Sequence, residues 1–260
     1  MSVAPSALPP LDSWQIINIE TIAFPAQPQI ETPQNWLSDF TGGDTESTIK
    51  RLERRDRVTL GNRVVKLTID PLRIYWTAGP NVLADELVAD GLQQVPSLGG
   101  YSEVRDWFCG MMRQWVQAGI PEIKRLAFAT KIIQPAPSRE DAYRMLQPYI
   151  PHVEIDPEST DFQYRVNRKR TSRTGIPNLV INRLSNWSAM QIEIQMSVSL
   201  TADTAVQHEI PSAPVYACLL SLDVNTHQTF GGPLPSAQIA DVFDELVDLS
   251  EEIAIRGDIR

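Results

Sequence analysis

The chain of 260 residues carries a formal net charge of −9, with 42% hydrophobic and 21% charged residues, the proportions of a globular protein long enough to bury a sizeable core. No apolar run reaches the roughly 18 to 20 residues that cross a bilayer, and the first ten residues lack the basic and apolar regions of a secretory signal. Cys109 and Cys218 lie in apolar stretches and read as core thiols rather than a disulfide, so the expectation is a cytoplasmic protein without membrane association.

In chain order, residues 1–12 are rich in Pro, Ser and Ala and read as an extended arm, with Pro9 and Pro10 excluding helix. Trp14 to Phe24 has the apolar content of a strand buried on both faces over part of its length. Prolines between 25 and 33 and the pair Gly42-Gly43 mark loops. Thr48 to Leu60 then reads as one extended segment ending at the turn dipeptide Gly61-Asn62, followed by Arg63 to Ile69, the turn Asp70-Pro71 and Leu72 to Thr77, an antiparallel meander.

A short helix is expected over 81–92. A longer one follows, capped by Ser102, with Val104, Phe108, Met111, Met112, Trp115 and Val116 at spacings of three and four, and Gly119 ends it. Ile123 to Ile133 is strand-like. Ser138 opens a helix reaching about Tyr149.

Strands are expected at Asp161 to Arg170, Leu179 to Leu184, Ala189 to Leu200 and Val215 to Asn225, with a polar turn at Ser185-Asn186-Trp187-Ser188 between the second and third. In that turn Trp187 reads as a lid over the core. A closing helix from about Ser236 to Ile253 carries an apolar stripe, and its carboxylates, Asp241 to Glu252, read as a solvated face. The pattern predicts an α+β fold built from antiparallel sheet with helices on one face. Its halves are residues 13–120 and 121–260, joined as one continuous domain.

This layout, with LTIDPLRIYW (67–76), IKRLAFATKIIQP (123–135) and LLSLDVN (219–225) before the closing amphipathic helix, resembles a sporadically distributed family of bacterial proteins of unassigned function. Members typically carry an Arg-Tyr-Ile-Asn-like stretch in the middle strand and an Asp-Ile-Asp-like stretch before the last helix. Here Ala129-Thr130-Lys131-Ile132-Ile133 and Leu222-Asp223-Val224-Asn225 stand in those places. The resemblance implies the architecture over nearly the whole chain and leaves activity open.

Charge is unevenly distributed. Ten of the 23 basic residues fall in two segments: Lys50, Arg51, Arg54, Arg55 and Arg57, and Arg165, Arg168, Lys169, Arg170 and Arg173. The segments contribute +3 and +5, so the remainder of the chain carries −17. A loop bearing Arg168, Lys169, Arg170 and Arg173 without a carboxylate offers donors to phosphates or to an acidic protein face. It reads equally as a solvated loop or one set against the protein's own acidic surface. The first segment has charge on both faces, which suits an edge strand guarded against aggregation.

Catalytic motifs are missing. Gly231-Gly232-Pro233 lacks the residues of a phosphate loop, no GxSxG, HExxH or CxxC occurs, and no cofactor or metal is implied. Asp223 and His227 are the least unpromising pair for an unrecognised hydrolase or transferase. The sequence therefore predicts a non-enzymatic interaction protein that binds a protein partner through the basic loop. Nucleic acid, as part of a bacterial defence or regulatory system, is the alternative partner, disfavoured because the −17 remainder repels a long polyanion. A homodimer through an apolar helix face or an exposed sheet edge also fits.

Overall fold

Alternating apolar residues assemble into one antiparallel sheet in the computed structural model, which describes residues 8–29, 35–82, 94–193, 195–198, 208–211 and 214–258. Strand β1 (Gln15–Pro25) is followed by a short helix α1 (Trp36–Thr41) and the meander β2 (Glu46–Lys50), β3 (Glu53–Leu60), β4 (Arg63–Asp70) and β5 (Arg73–Pro80). A two-residue β6 (Gly99–Gly100) leads into α2 (Tyr101–Gln117), then β7 (Ile123–Ala136) and α3 (Arg139–Leu146). The rest comprises β8 (Gln163–Asn167), β9 (Arg170–Thr171), β10 (Val180–Ile192), β11 (Gln195–Val198), β12 (His208–Pro211), β13 (Val215–Thr226) and α4 (Ile239–Arg256).

The sheet runs β2-β3-β4-β5-β1-β7-β13-β10-β8, with β6 beside β1 and β9 beside β10. Strands β11 and β12 pair separately, with Val198 opposite His208 and Ser197 opposite Glu209. The fold is α+β. The two halves expected from sequence share the sheet, because β1 pairs with β7 from Gln15↔Ile133 to Pro25↔Ile123.

One face of the sheet holds the core. Thr21, Trp76, Leu67, Phe128 and Val224 lie in one cross-strand row, buried beneath the helices. Phe128 meets Phe243 of α4 edge-on at 6.1 Å, and Trp76 packs on Trp115 of α2 at 5.7 Å. A bulge at Ile17 rephases β1, so that Ile16 and Ile19 both point into this core. The N-terminal arm, where described, joins it. Leu8 and Leu11 pack against the core, and the Asp12 carboxylate accepts the Ser102 N–H at 3.1 Å; hydrogen bonding from the Ser102 side chain and then from this N–H holds the Asp12 pKa below its usual value. Asp12 therefore serves the start of α2, where the Ser102 side chain was expected to act as cap.

Two expectations change. Thr48 to Leu60 is a hairpin turning at Arg51-Leu52, with Arg51 at φ +57°. Ser185 to Ser188 is not a turn, because β10 runs unbroken through it. Polar Asn186 and Ser188 point away from the helices while Ser185 and Trp187 point towards them, an ordinary alternation disguised by short polar residues. Trp187 is thus fully buried, stacked on Tyr149 at 5.3 Å. The helix expected over 81–92 falls, beyond residue 82, outside the described residues.

Candidate interaction surface

Among the described residues the helices cover only one face of the sheet. The second is covered at one end, where Val95 packs with buried Ile133 and Ala217. Beyond that end no described residue covers it, so register fixes which side chains stand on this uncovered face. One row runs Glu46, Arg57, Lys66, Thr77, Glu20, Ala129, Asp223, Leu184 and Asn167 from edge to edge. A parallel row carries Asn18, Lys131, Ser221, Asn186 and Arg165. Over β1, β7, β13, β10 and β8 this face forms an open groove of about 520 Å³. Ala127 and Ala129 in β7 are its floor, since their small side chains leave the space that neighbouring rows fill.

Side chains around the groove are fixed by one another. Arg125 stacks over Phe24, its guanidinium carbon 4.8 Å from the ring centroid, and donates to Thr226 O at 3.2 Å and Asn225 Oδ1 at 3.4 Å. Asn225 in turn donates to Asp223 at 2.8 Å and accepts from Asn182 at 2.9 Å, and Asn182 accepts from Asn167 at 3.1 Å. Burial and the adjacent Glu20 push the Tyr75 hydroxyl pKa well up, so Tyr75 remains a neutral donor to that carboxylate. Lys131 and Arg165 are exposed and make no ion pair among the described residues.

A second depression of about 440 Å³ lies over β2, β3 and β4, with Lys50, Arg55, Arg57 and Lys66 around it. Arg55 pairs with Glu53. In total, the strand residues on the uncovered face include eight basic side chains (Lys50, Arg55, Arg57, Lys66, Arg73, Arg125, Lys131, Arg165) against five acidic ones (Glu20, Glu46, Glu53, Asp70, Asp223). In a chain of net charge −9 the described strand residues of this face thus carry an excess of three positive charges.

The sequence-predicted site residues divide accordingly. Lys50, Arg55, Arg57 and Arg165 reach the uncovered face. Arg54 points to the other side and pairs with buried Asp56 at 2.8 Å, and Arg51 occupies the turn. The two basic segments are not side by side: β2-β3 and β8 lie at opposite edges of the sheet. The remaining arginines of the loop pair with α4 and its end. Arg168 grips Asp258 through both carboxylate oxygens at 2.5 and 2.6 Å, with Tyr164 donating to the same group at 2.7 Å. Arg170 pairs with Glu252 at 3.1 Å, as does buried Arg183 at 3.4 Å.

Glu245 accepts from Ser172 Oγ at 2.5 Å and Arg173 N at 2.8 Å, with the Arg173 guanidinium 3.5 Å away. Lys169 Nζ stands 2.9 Å from His227 Nε2. The carboxylates of α4 are therefore not simply solvated. Besides those loop contacts, Glu251 meets Arg105 at 2.9 Å and Asp244 meets Arg113 at 2.7 Å.

Lys66, Arg73, Arg125 and Lys131 are the cations of this face that sequence reasoning passed over. Each is single in its segment, and only register assembles them into a surface. The thiols take no part. Cys109 and Cys218 are free and buried, and burial raises the Cys109 pKa to about 12. Cys218 lies on the helix side of β13 while Asp223 lies on the uncovered side, so no thiol site forms with His227. Among the described residues no cluster of His, Cys, Asp and Glu is arranged to hold a metal, and no helix is long and apolar enough to cross a membrane. The chain matches no family model, and no curated protein is significantly similar to it.

Proposed function

We propose that this is an intracellular interaction protein that docks an acidic protein segment on the uncovered face of its sheet. The observation behind the reading is charge segregation by face. Carboxylates crowd the helices, whereas the strand residues of the other side, on which no described helix packs, are net positive around an open groove where Lys131 and Arg165 make no ion pair among the described residues. Such complementarity speeds encounter and selects anionic partners. The loop at 165–175 enters the reading only through Arg165, because its other arginines are occupied by α4 and Asp258. Buried free thiols fit a reducing compartment.

A protein segment is favoured over nucleic acid because the aromatic rings on this face are engaged, Phe24 beneath Arg125 and Tyr75 with Glu20, rather than displayed for base stacking.

Fluorescence anisotropy with labelled polyglutamate and with single-stranded DNA tests this. Polyglutamate is expected to bind more tightly than the DNA, with affinity falling as salt rises, and Lys131→Glu with Arg165→Glu should weaken it about tenfold or more. Tighter binding of DNA would move the reading to nucleic acid. Absent binding, or binding indifferent to the two substitutions, would remove the face as the docking surface.

A further inference from the structure

Strand β2 ends the sheet at the edge opposite β8, and all five of its residues are exposed. Glu46, Thr48 and Lys50 stand on the uncovered face, while Ser47 and Ile49 point to the other side, where Ile49 is 69% exposed. An edge of this kind presents unpaired backbone donors and acceptors to another strand. The sequence of the strand, Glu-Ser-Thr-Ile-Lys, has opposite charges at its two ends and a threonine at its centre.

We propose that β2 pairs antiparallel with β2 of a second copy about a two-fold axis at Thr48, giving a homodimer whose sheet is continuous through both molecules. In that register Glu46 of each copy faces Lys50 of the other, on the same side of the sheet, so both charges are matched at once. Directly opposite, oppositely charged pairs stabilise antiparallel strands and like pairs oppose them. Thr48 faces its own counterpart. On the reverse side Ser47 faces Ile49, which sets the two Ile49 side chains diagonally across the axis, within reach of one another. An isologous contact of this sort closes with two copies and does not propagate.

A register moved by two residues towards the turn would place Lys50 opposite Thr48 and send Glu46 towards the turn residue Leu52, losing both charge pairs; the opposite shift would place Glu46 opposite Thr48 and leave Lys50 to meet Asp44, which lies outside the strand. Within the five strand residues the edge charges thus select one self-pairing. The arginines of β3 do not prevent it, because the two β3 strands are held three strand spacings apart, about 14 Å, beyond the roughly 8 Å screening length at physiological salt.

Only five residues pair, far short of the roughly 1,200 Å² of a stable interface, so association is expected at micromolar concentrations or above. The inference is independent of the acidic partner, and its variants leave Lys131 and Arg165 intact.

Sedimentation equilibrium of the full chain over micromolar to submillimolar concentrations should show a monomer–dimer equilibrium. Glu46→Lys alone and Lys50→Glu alone should each be monomeric, since each sets like charges opposite one another at both ends. An equimolar mixture of these two variants should recover the dimer, because each copy then supplies the charge the other lacks. Circular dichroism of each variant establishes that it is folded. Wild-type protein that stays monomeric, single variants that dimerise like wild type, or a mixture that stays monomeric would each overturn the proposal.

Discussion

Gly257 ends α4 with φ +74° and ψ −155°, and its N–H donates to Ile253 O at 2.8 Å. A Cβ there would stand 2.1 Å from Tyr149 O, so both backbone conformation and space require glycine. Gly257→Ala is expected to lower stability by about 2 kcal/mol or more, read as a fall in the urea midpoint. The same turn delivers Asp258, whose carboxyl is held below its ordinary pKa first by the Arg168 hydrogen bonds and then by Tyr164, against burial, which raises it. Stability from this contact is full above the ordinary carboxylate pKa of about 4. It is lost as pH falls through the lower folded value. Asp258→Asn should cost about 2 kcal/mol at neutral pH and flatten the acid limb of a urea-midpoint titration. Of this arrangement the sequence displayed the donors, a run of arginines, but not the acceptor, which lies 90 residues away from Arg168.

At the level of elements, local pattern was most informative where side chains differ strongly in polarity and least where they do not. Helix α2 was legible because its apolar residues recur at three and four. The turn at Arg51-Leu52 was hidden because neither residue is a turn former, and Arg51 sits in left-handed conformation for want of glycine. That error reversed the facing of the segment. Lys50 shares a face with Glu53, Arg55 and Arg57, not with Leu52 and Arg54. Arg51→Gly should therefore relax the hairpin and raise stability by roughly 0.5 to 1 kcal/mol, seen as a higher urea midpoint. No gain would mean that the Arg51 side chain contributes as much as its backbone conformation costs. Strand β10 was divided in two for a related reason. Asn186 and Ser188 suggest a loop when read singly, and become strand residues only against β13, where they face Ser221 and Leu219.

Across the whole molecule, the uncovered face was the least legible feature, since it depends on strand order. The nine strands of the main path set on one face cations more than one hundred residues apart in sequence, as with Arg57 near one edge and Arg165 at the other. Strand order also decides how the protein unfolds. β1 belongs to the N-terminal half, yet it pairs with β7 along its length, and neighbouring Trp14 lies 5.3 Å from Tyr149 and 6.4 Å from Trp187, with its indole N–H donated to Ala254 O at 3.3 Å. Separating the halves would break this ladder and expose an aromatic cluster that neither half buries alone. The two halves are therefore expected to melt together as one cooperative unit. In protein labelled with 5-fluorotryptophan, the fluorine resonances of Trp76 and Trp115 should share one urea midpoint with those of Trp14 and Trp187. A separate, earlier transition for the Trp76 and Trp115 signals would mean that the β2 to β5 meander and α2 form a unit of their own, held to the rest by less than the β1–β7 register implies.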